Sequence, residues 1–202
     1  MKLVCESNQL IDYLPHSDVI DFHHPRIQDT ARSITSGLTD EQAIVKAVFE
    51  FVRDEIAHSW DIQSRQVTRS ASEVLEHGHG ICYAKSNLQA ALLRSLNIPA
   101  GFCYQRLTIG DTPDTGHCIH ALNAVYLSSL QRWIRLDARG NKEGVEAEYS
   151  TTEEKLAFPI RLHYDEADYP VIYARPNGKT MDTLARNNDC LIMYQHGLPT
   201  EL

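Results

Sequence analysis

His77-Gly78-His79-Gly80-Ile81-Cys82-Tyr83-Ala84 is the stretch whose reading decides the fold. Two glycines stand just before a cysteine, and a helical pattern opens at that cysteine. Ala84, Leu88, Ala91, Leu92 and Leu96 recur at three- and four-residue steps and make one apolar face. Asn97 follows the last periodic residue and Pro99 comes two later, so the helix ends there with Asn97 in or near a left-handed cap. Cys82 then occupies the first turn of a buried helix, where free backbone N–H groups and the helix dipole stabilise negative charge. The thiolate is the nucleophilic form of cysteine. The glycines let the chain turn sharply and let a substrate backbone approach the sulfur. An isolated cysteine at a helix start is otherwise a small buried hydrophobe, and what lies downstream decides between the two readings.

Upstream, Thr39 to Ile56 reads as the clearest helix. Thr39 and Gln42 form a capping-box pair, and Ile44, Ala47, Val48, Phe51, Val52 and Ile56 make its apolar stripe. Pro25 to Ser36 reads as a helix with proline in its first turn and Gly37 at its end. His23-His24 just before it could bind metal, although adjacent loop histidines are more often simply solvated. Ser70 or Ser72 caps a short helix through Leu75 that Gly78 terminates. Downstream, Gly101 to Ile109, Cys118 to Leu127 and Leu130 to Asp137 read as strands, with a turn-rich loop from Gly110 to Gly116 between the first two. A short helix from Met181 to Ala185 is the only further element with a pattern.

The two last strands carry the decisive pair. His120 opens one and Asp137 closes the other. A hairpin centred between Ser128 and Ser129 places them directly opposite each other, with Cβ atoms roughly 4.5–5.5 Å apart on one face. Serine pairs suit tight primed turns poorly, which favours a four-residue loop from Leu127 to Leu130. An odd-length loop would put the two side chains on opposite faces. A carboxylate beside an imidazole fixes its tautomer and stabilises the imidazolium. With a helix-start cysteine facing that ring, Cys82, His120 and Asp137 take the roles of nucleophile, base and orienter.

Composition bounds the partners. The 202 residues fit one domain, 1–202, with 43% hydrophobic and 23% charged residues, ordinary globular usage. A net charge of −8 argues against nucleic acid and anionic membrane surfaces. Met1 to Glu6 lacks the apolar core of a signal peptide, and no run is long enough to span a bilayer. Five cysteines, an odd set without framework spacing, read as reduced thiols in a cytoplasmic protein.

The series Ser72-Glu73-Val74-Leu75, Gly80-Ile81-Cys82, Ala90-Ala91-Leu92-Leu93-Arg94, Asn97-Ile98-Pro99-Ala100, His120-Ala121 and Trp133-Ile134-Arg135-Leu136-Asp137 resembles the transglutaminase-like domain, a family of the papain-like cysteine enzymes. The resemblance runs from about Ala43 to Asn141. It implies an α+β, papain-like core in which the nucleophile helix packs on an antiparallel β-sheet carrying histidine and aspartate. It implies thioester chemistry on a peptide, protein or small amide substrate, by hydrolysis or by acyl transfer to an amine. No cofactor is implied, and no calcium, because the additional domains of the large calcium-dependent members have no counterpart here. Tyr83 stands where many members have tryptophan or arginine. The Cys82 backbone N–H is one expected oxyanion donor, and Trp60 and Gln66 are candidates for the second.

Two rival readings remain at this level. His77, His79 and Cys82, with His117, Cys118 and His120, offer six ligands to zinc, although their spacing lacks the usual paired pattern. A binding module on the same fold would carry the three residues without turnover.

Overall fold

The computed structural model describes residues 1–110 and 112–202. Asp111, in the expected Gly110–Gly116 loop, lies outside the described residues. The architecture is α+β. Strand β1 (Val4–Cys5) and helices α1 (Pro25–Ile34) and α2 (Glu41–Asp54) lead to β2 (Ala57–His58), α3 (Ala71–His77) and β3 (His79–Gly80). The central helix α4 (Cys82–Ser95) follows, then β4 (Ala100–Thr108), β5 (His117–Leu127) and β6 (Arg132–Leu136). Two short strands, β7 (Ala167–Asp168) and β8 (Val171–Ile172), and two helices, α5 (Gly178–Arg186) and α6 (Cys190–His196), complete the chain. The main sheet runs β6-β5-β4-β7 and is antiparallel throughout, while β1 pairs with β8 and β2 with β3 in parallel. Among the described residues no helix is long and apolar enough to cross a membrane.

Local chemistry explains most element ends. Ser70 and Glu73 close a reciprocal capping box on α3, and Gly78 ends it at φ 69°. Asn97 takes φ 59° just past α4, the left-handed position expected of it. On α2 the cap is Asp40, whose carboxylate accepts from the Ala43 N–H, and not Thr39. Its buried stripe is Val45, Val48, Phe49 and Val52, rotated from the expected one, with Ile44 and Phe51 only half-buried. His24 caps α1, its Nδ1 accepting from the Arg26 N–H, and no cluster of three potential metal ligands forms around it among the described residues.

Helix α4 departs from the expectation of a single apolar face. It is buried around its whole circumference from Tyr83 to Arg94, including Lys85, Ser86, Asn87, Gln89 and Arg94. Helices α1, α2 and α3 cover one side and the sheet covers the other. Such a helix relies on the protein itself for partners to its polar side chains, and although the Gln89 amide and Asn87 Oδ1 find none among the described residues, others do. Arg94 does so without a carboxylate. It donates to the carbonyls of Pro15, Ala100 and Ala174 and lies over the Phe102 ring, which ties the amino-terminal segment, the sheet and the residues after β8 to one helix. Asn123 on β5 likewise donates to the Ser86 and Gly101 carbonyls.

Replacing Arg94 by Leu strands three carbonyls that this side chain satisfies. At 1–3 kcal/mol for each unsatisfied buried group, softened by relaxation, Arg94→Leu should lower unfolding free energy by about 3 kcal/mol or more. Urea denaturation measures it; a change below about 1 kcal/mol would contradict the role assigned to this residue.

Candidate active site

Cys82 sits at the first position of α4, after Ile81, which supplies no side-chain cap. The strand β3 that delivers it is held by β2, through Ala57 N–H to the Gly78 carbonyl and Ser59 N–H to the Gly80 carbonyl. Gly80 serves close packing: a Cβ there would come within 3.1 Å of Ala84 Cβ and Thr68 Oγ1. That differs from the expected role of admitting substrate, and Gly78 alone of the two has a positive φ.

The hairpin bears the residues on one face but not in the expected register. Leu127 pairs with Arg132 and Asn123 with Leu136, so the loop is Ser128–Gln131, one residue further on than Leu127–Leu130, which shifts the pairing register by two. Gln131 takes φ 51°, and the Glu41 carboxylate accepts from the Ser128 and Ser129 N–H groups at 2.9 and 2.8 Å. Tertiary capping by α2 thus sets the turn. His120 and Asp137 are consequently diagonal neighbours and not directly opposed. The shift is even, so they keep a common face, and His120 Nε2 lies 2.8 Å from Asp137 Oδ2.

Asp137 is buried and also accepts from the Ala157 N–H at 3.1 Å and the Arg139 N–H at 3.3 Å. Burial alone would raise its carboxyl, but the His120 charge and these hydrogen bonds hold it below the usual carboxylate range. Burial would depress the His120 imidazole; the charges of Asp137 and Cys82 and hydrogen bonds to both outweigh it and raise the ring to about 10. His120 therefore stands between sulfur and carboxylate, with Nε2 on Asp137 and Nδ1 left for Cys82. Phe158 meets its ring edge-on, centroids 5.2 Å apart.

Cys82 and His120 open into a cavity of about 490 Å³. Leu107, Ile109, Val145, Phe158 and Leu198 give it apolar walls, and its charged residues are largely paired. Arg139 and Lys142 both bind Asp61, and Arg161 binds Glu166. Asp61 is drawn down to about 2 because those two cations outweigh its burial.

Of the other sequence candidates, Tyr83 lines the cavity but its hydroxyl is committed to the Ile119 carbonyl at 2.7 Å. Trp60 stacks on Tyr194, centroids 4.5 Å apart, and does not line the cavity. Gln66 is exposed and outside it. The residue that sequence reading missed is His58, which lines the cavity, is 4% exposed, and has an Nδ1 with no hydrogen-bond partner among the described residues. Burial, reinforced by Arg139, Lys85 and His120, pushes its imidazole well below the ordinary range, so it is neutral. The six-ligand zinc set is not assembled. His79 lies between the Ser59 and Ser64 hydroxyls, His117 bonds the Tyr164 carbonyl, and no three potential ligands converge among the described residues.

Asp137 lies one residue past β6, outside the strand expected to end on it, and a helix-start cysteine backed by a sheet histidine and such an aspartate is the arrangement of the papain-like cysteine enzymes. The model of the transglutaminase-like superfamily matches residues 28–138, more than half of the chain, and the protein belongs to that superfamily. Among solved structures, a candidate cysteine protease from Cytophaga hutchinsonii superposes with TM-score 0.53 at 20% identity, over 66% of this chain and 43% of the other. The periplasmic domain of TgpA from Pseudomonas aeruginosa aligns with TM-score 0.45 at 18% identity, over 63% of this chain and 44% of that one. The chain thus spans less than half the length of either structure. No curated protein matches its sequence.

Cys5 and Cys118 are as half-buried as Cys82, and Cys118 lines the same cavity, so contact with His120 at a helix start, and not exposure, sets Cys82 apart. Burial pushes Cys103 and Cys118 up to about 12 and raises Cys190, whereas Cys82 meets His120. Brief, limiting iodoacetamide treatment followed by peptide mapping should label Cys82 first. Prior labelling of Cys103, Cys118 or Cys190 in folded protein would refute this.

Proposed function

We propose that this protein is a cysteine hydrolase or acyltransferase acting on amide and acyl groups, with Cys82, His120 and Asp137 as its catalytic triad. The observation that carries the reading is the His120 imidazole, which lines the cavity with Cys82, held between the Cys82 sulfur and a buried Asp137 carboxylate. In the mechanism, the proton shared between Cys82 and His120 rests on the imidazole, and the sulfur attacks the substrate carbonyl as thiolate. The oxyanion takes hydrogen bonds from the Cys82 backbone N–H at the uncapped helix start and from His58. His58 suits that role because it is neutral: it donates a hydrogen bond without competing as an acid. The tetrahedral intermediate collapses, the C–N bond breaks, and His120 gives its proton to the leaving amine. Water or a second amine then attacks the thioester, loses its proton to His120, and releases the thiol.

Intact-mass detection of a Cys82 acyl-enzyme, with a panel of peptide amides and esters and with or without a primary amine, tests the activity directly. Cys82→Ala should abolish turnover and His120→Ala should cost a similar factor, since the two act as one unit. Asp137→Asn should cost less than either, by up to on the order of 10⁴-fold. His58→Ala should lower kcat by roughly 10²–10³-fold with little change in KM, and His58→Gln should recover part of the loss. A fully active Asp137→Asn variant would sink the triad.

The raised His120 fixes the sign of the pH dependence. Imidazolium persists below its folded value, so activity should hold through neutral pH and fall as pH rises through about 10. Asp137 charge is a main cause of the elevation, so Asp137→Asn should move that alkaline limb to lower pH. A pH–kcat/KM profile of both proteins measures the shift, and an unmoved limb would contradict the coupling.

A further inference from the structure

His58 is assigned to the oxyanion, yet no hydrogen bond fixes its ring. Its Nδ1 is buried without a partner, and nothing among the described residues bonds the other nitrogen. A functional histidine is ordinarily oriented by a hydrogen bond on the nitrogen that does not react. His120 has the Asp137 carboxylate for that purpose. The His58 ring depends on packing alone, so a rigid neighbour must supply its orientation.

Tyr194 of α6 is that neighbour, and it lines the cavity with His58 and Cys82. Its ring meets the imidazole almost perpendicularly, with centroids 6.0 Å apart and planes at 86°, inside the range of edge-to-face aromatic contacts. The same ring lies nearly parallel to Trp60, centroids 4.5 Å apart and planes at 16°. Trp60 follows His58 by two residues, so one stretch of chain bears both the imidazole and the platform for the ring packed against it. Helix α6 is tied to that stretch again further on. The Cys190 N–H donates to the Arg65 carbonyl at 2.7 Å, and Asp189, which caps α6 through the Leu191 and Ile192 N–H groups, also pairs with Arg65. Met193 is fully buried and seats the helix in the core. The Tyr194 hydroxyl, in contrast, makes no hydrogen bond among the described residues, whereas those of Tyr83 and Tyr104 do. What is held in place is the ring.

We infer that Tyr194 is a positioning residue for His58. Backed by Trp60, its ring keeps the imidazole in the orientation from which it donates to the oxyanion. The inference rests on the cysteine-enzyme reading above and on the donor role of His58 within it. It extends the machinery of the site to α6, which lies beyond the residues 28–138 matched by the superfamily model.

Hydrolysis of p-nitrophenyl acetate, followed by p-nitrophenolate release and by the intact mass of the Cys82 acyl-enzyme, tests this. Tyr194→Leu removes the ring and should lower kcat roughly 10–100-fold with little change in KM. Tyr194→Phe keeps the ring and should recover most of that loss. In a His58→Ala background, Tyr194→Leu should cost less than about twofold more, the mark of a residue that acts through another. Trp60→Leu lies outside the cavity, so it should lower kcat in the same direction by a smaller factor, and it carries the test if Tyr194→Leu does not fold. A slow His58→Ala beside full-rate Tyr194→Leu and Trp60→Leu would overturn the inference alone. So would a Tyr194→Phe as slow as Tyr194→Leu, or a Tyr194→Leu loss that multiplies in full with that of His58→Ala. A full-rate His58→Ala would remove the donor role and the inference together. Absence of any Cys82 acyl-enzyme in the parent would overturn the cysteine-enzyme reading as well.

Discussion

A carboxylate as deeply buried as Asp137 is tolerated only where its charge is fully met, and meeting it organises the middle of this protein. Three separate pieces of chain converge on it: His120 from β5, the Arg139 N–H from the loop that follows β6, and the Ala157 N–H from a segment twenty residues on. Each needs its own support. The hairpin register is set by Glu41 gripping the Ser128–Ser129 turn, and the path after β6 is fixed by the Arg139–Asp61 pair. The approach of Ala157 is braced by Glu154 on the buried Arg135, which also binds Asp168 of β7. Removing one partner from such a centre costs far more than the pair contributes, because a charge is then left buried without compensation.

How much of this was legible in the sequence depends on how local each signal is. The start of α4 at Cys82, its end before Asn97 and the α3 capping box are set by neighbouring residues, so they could be read directly. The joint face of His120 and Asp137 was legible for a different reason. Side chains alternate with period two, so the register could slip by two residues without moving either group to the other face. The register itself was not legible, because α2 sets it through Glu41, far away in sequence.

His58 shows the opposite case. It belongs to a two-residue strand whose only partner among the described residues is β3, and two residues carry no periodicity. Its place beside Cys82 follows from that parallel pairing and from Lys85, whose Nζ donates to the Ile56 carbonyl just before β2. Lys85 lies one turn along α4 from Cys82, so one helix positions the sulfur and clamps the strand that bears His58. A lysine so placed looks misplaced in a sequence helix-face count, where it should be solvent-exposed. Burial, with Arg139 adding to it, drives its amine down to about 7, against the pull of Asp137, Asp61 and Asp54. Trp60, two residues further along, was the more conspicuous residue type, and it packs on Tyr194 instead.

The same surroundings drive the two cavity histidines apart. Both are desolvated, and desolvation disfavours the charged form of each. Asp137 reverses that for His120, because its carboxylate is in direct contact and has few other positive partners. Asp61 cannot do so for His58: its charge is already spent on Arg139 and Lys142, and Arg139 itself opposes protonation of His58. One ring is consequently an acid charged at neutral pH, and the other a neutral hydrogen-bonding group, within a single cavity. Divergent titration of neighbouring groups is what acid–base division of labour requires. Here it comes from which carboxylate each histidine can reach, and that is fixed by Glu41 on the hairpin and Lys85 on β2.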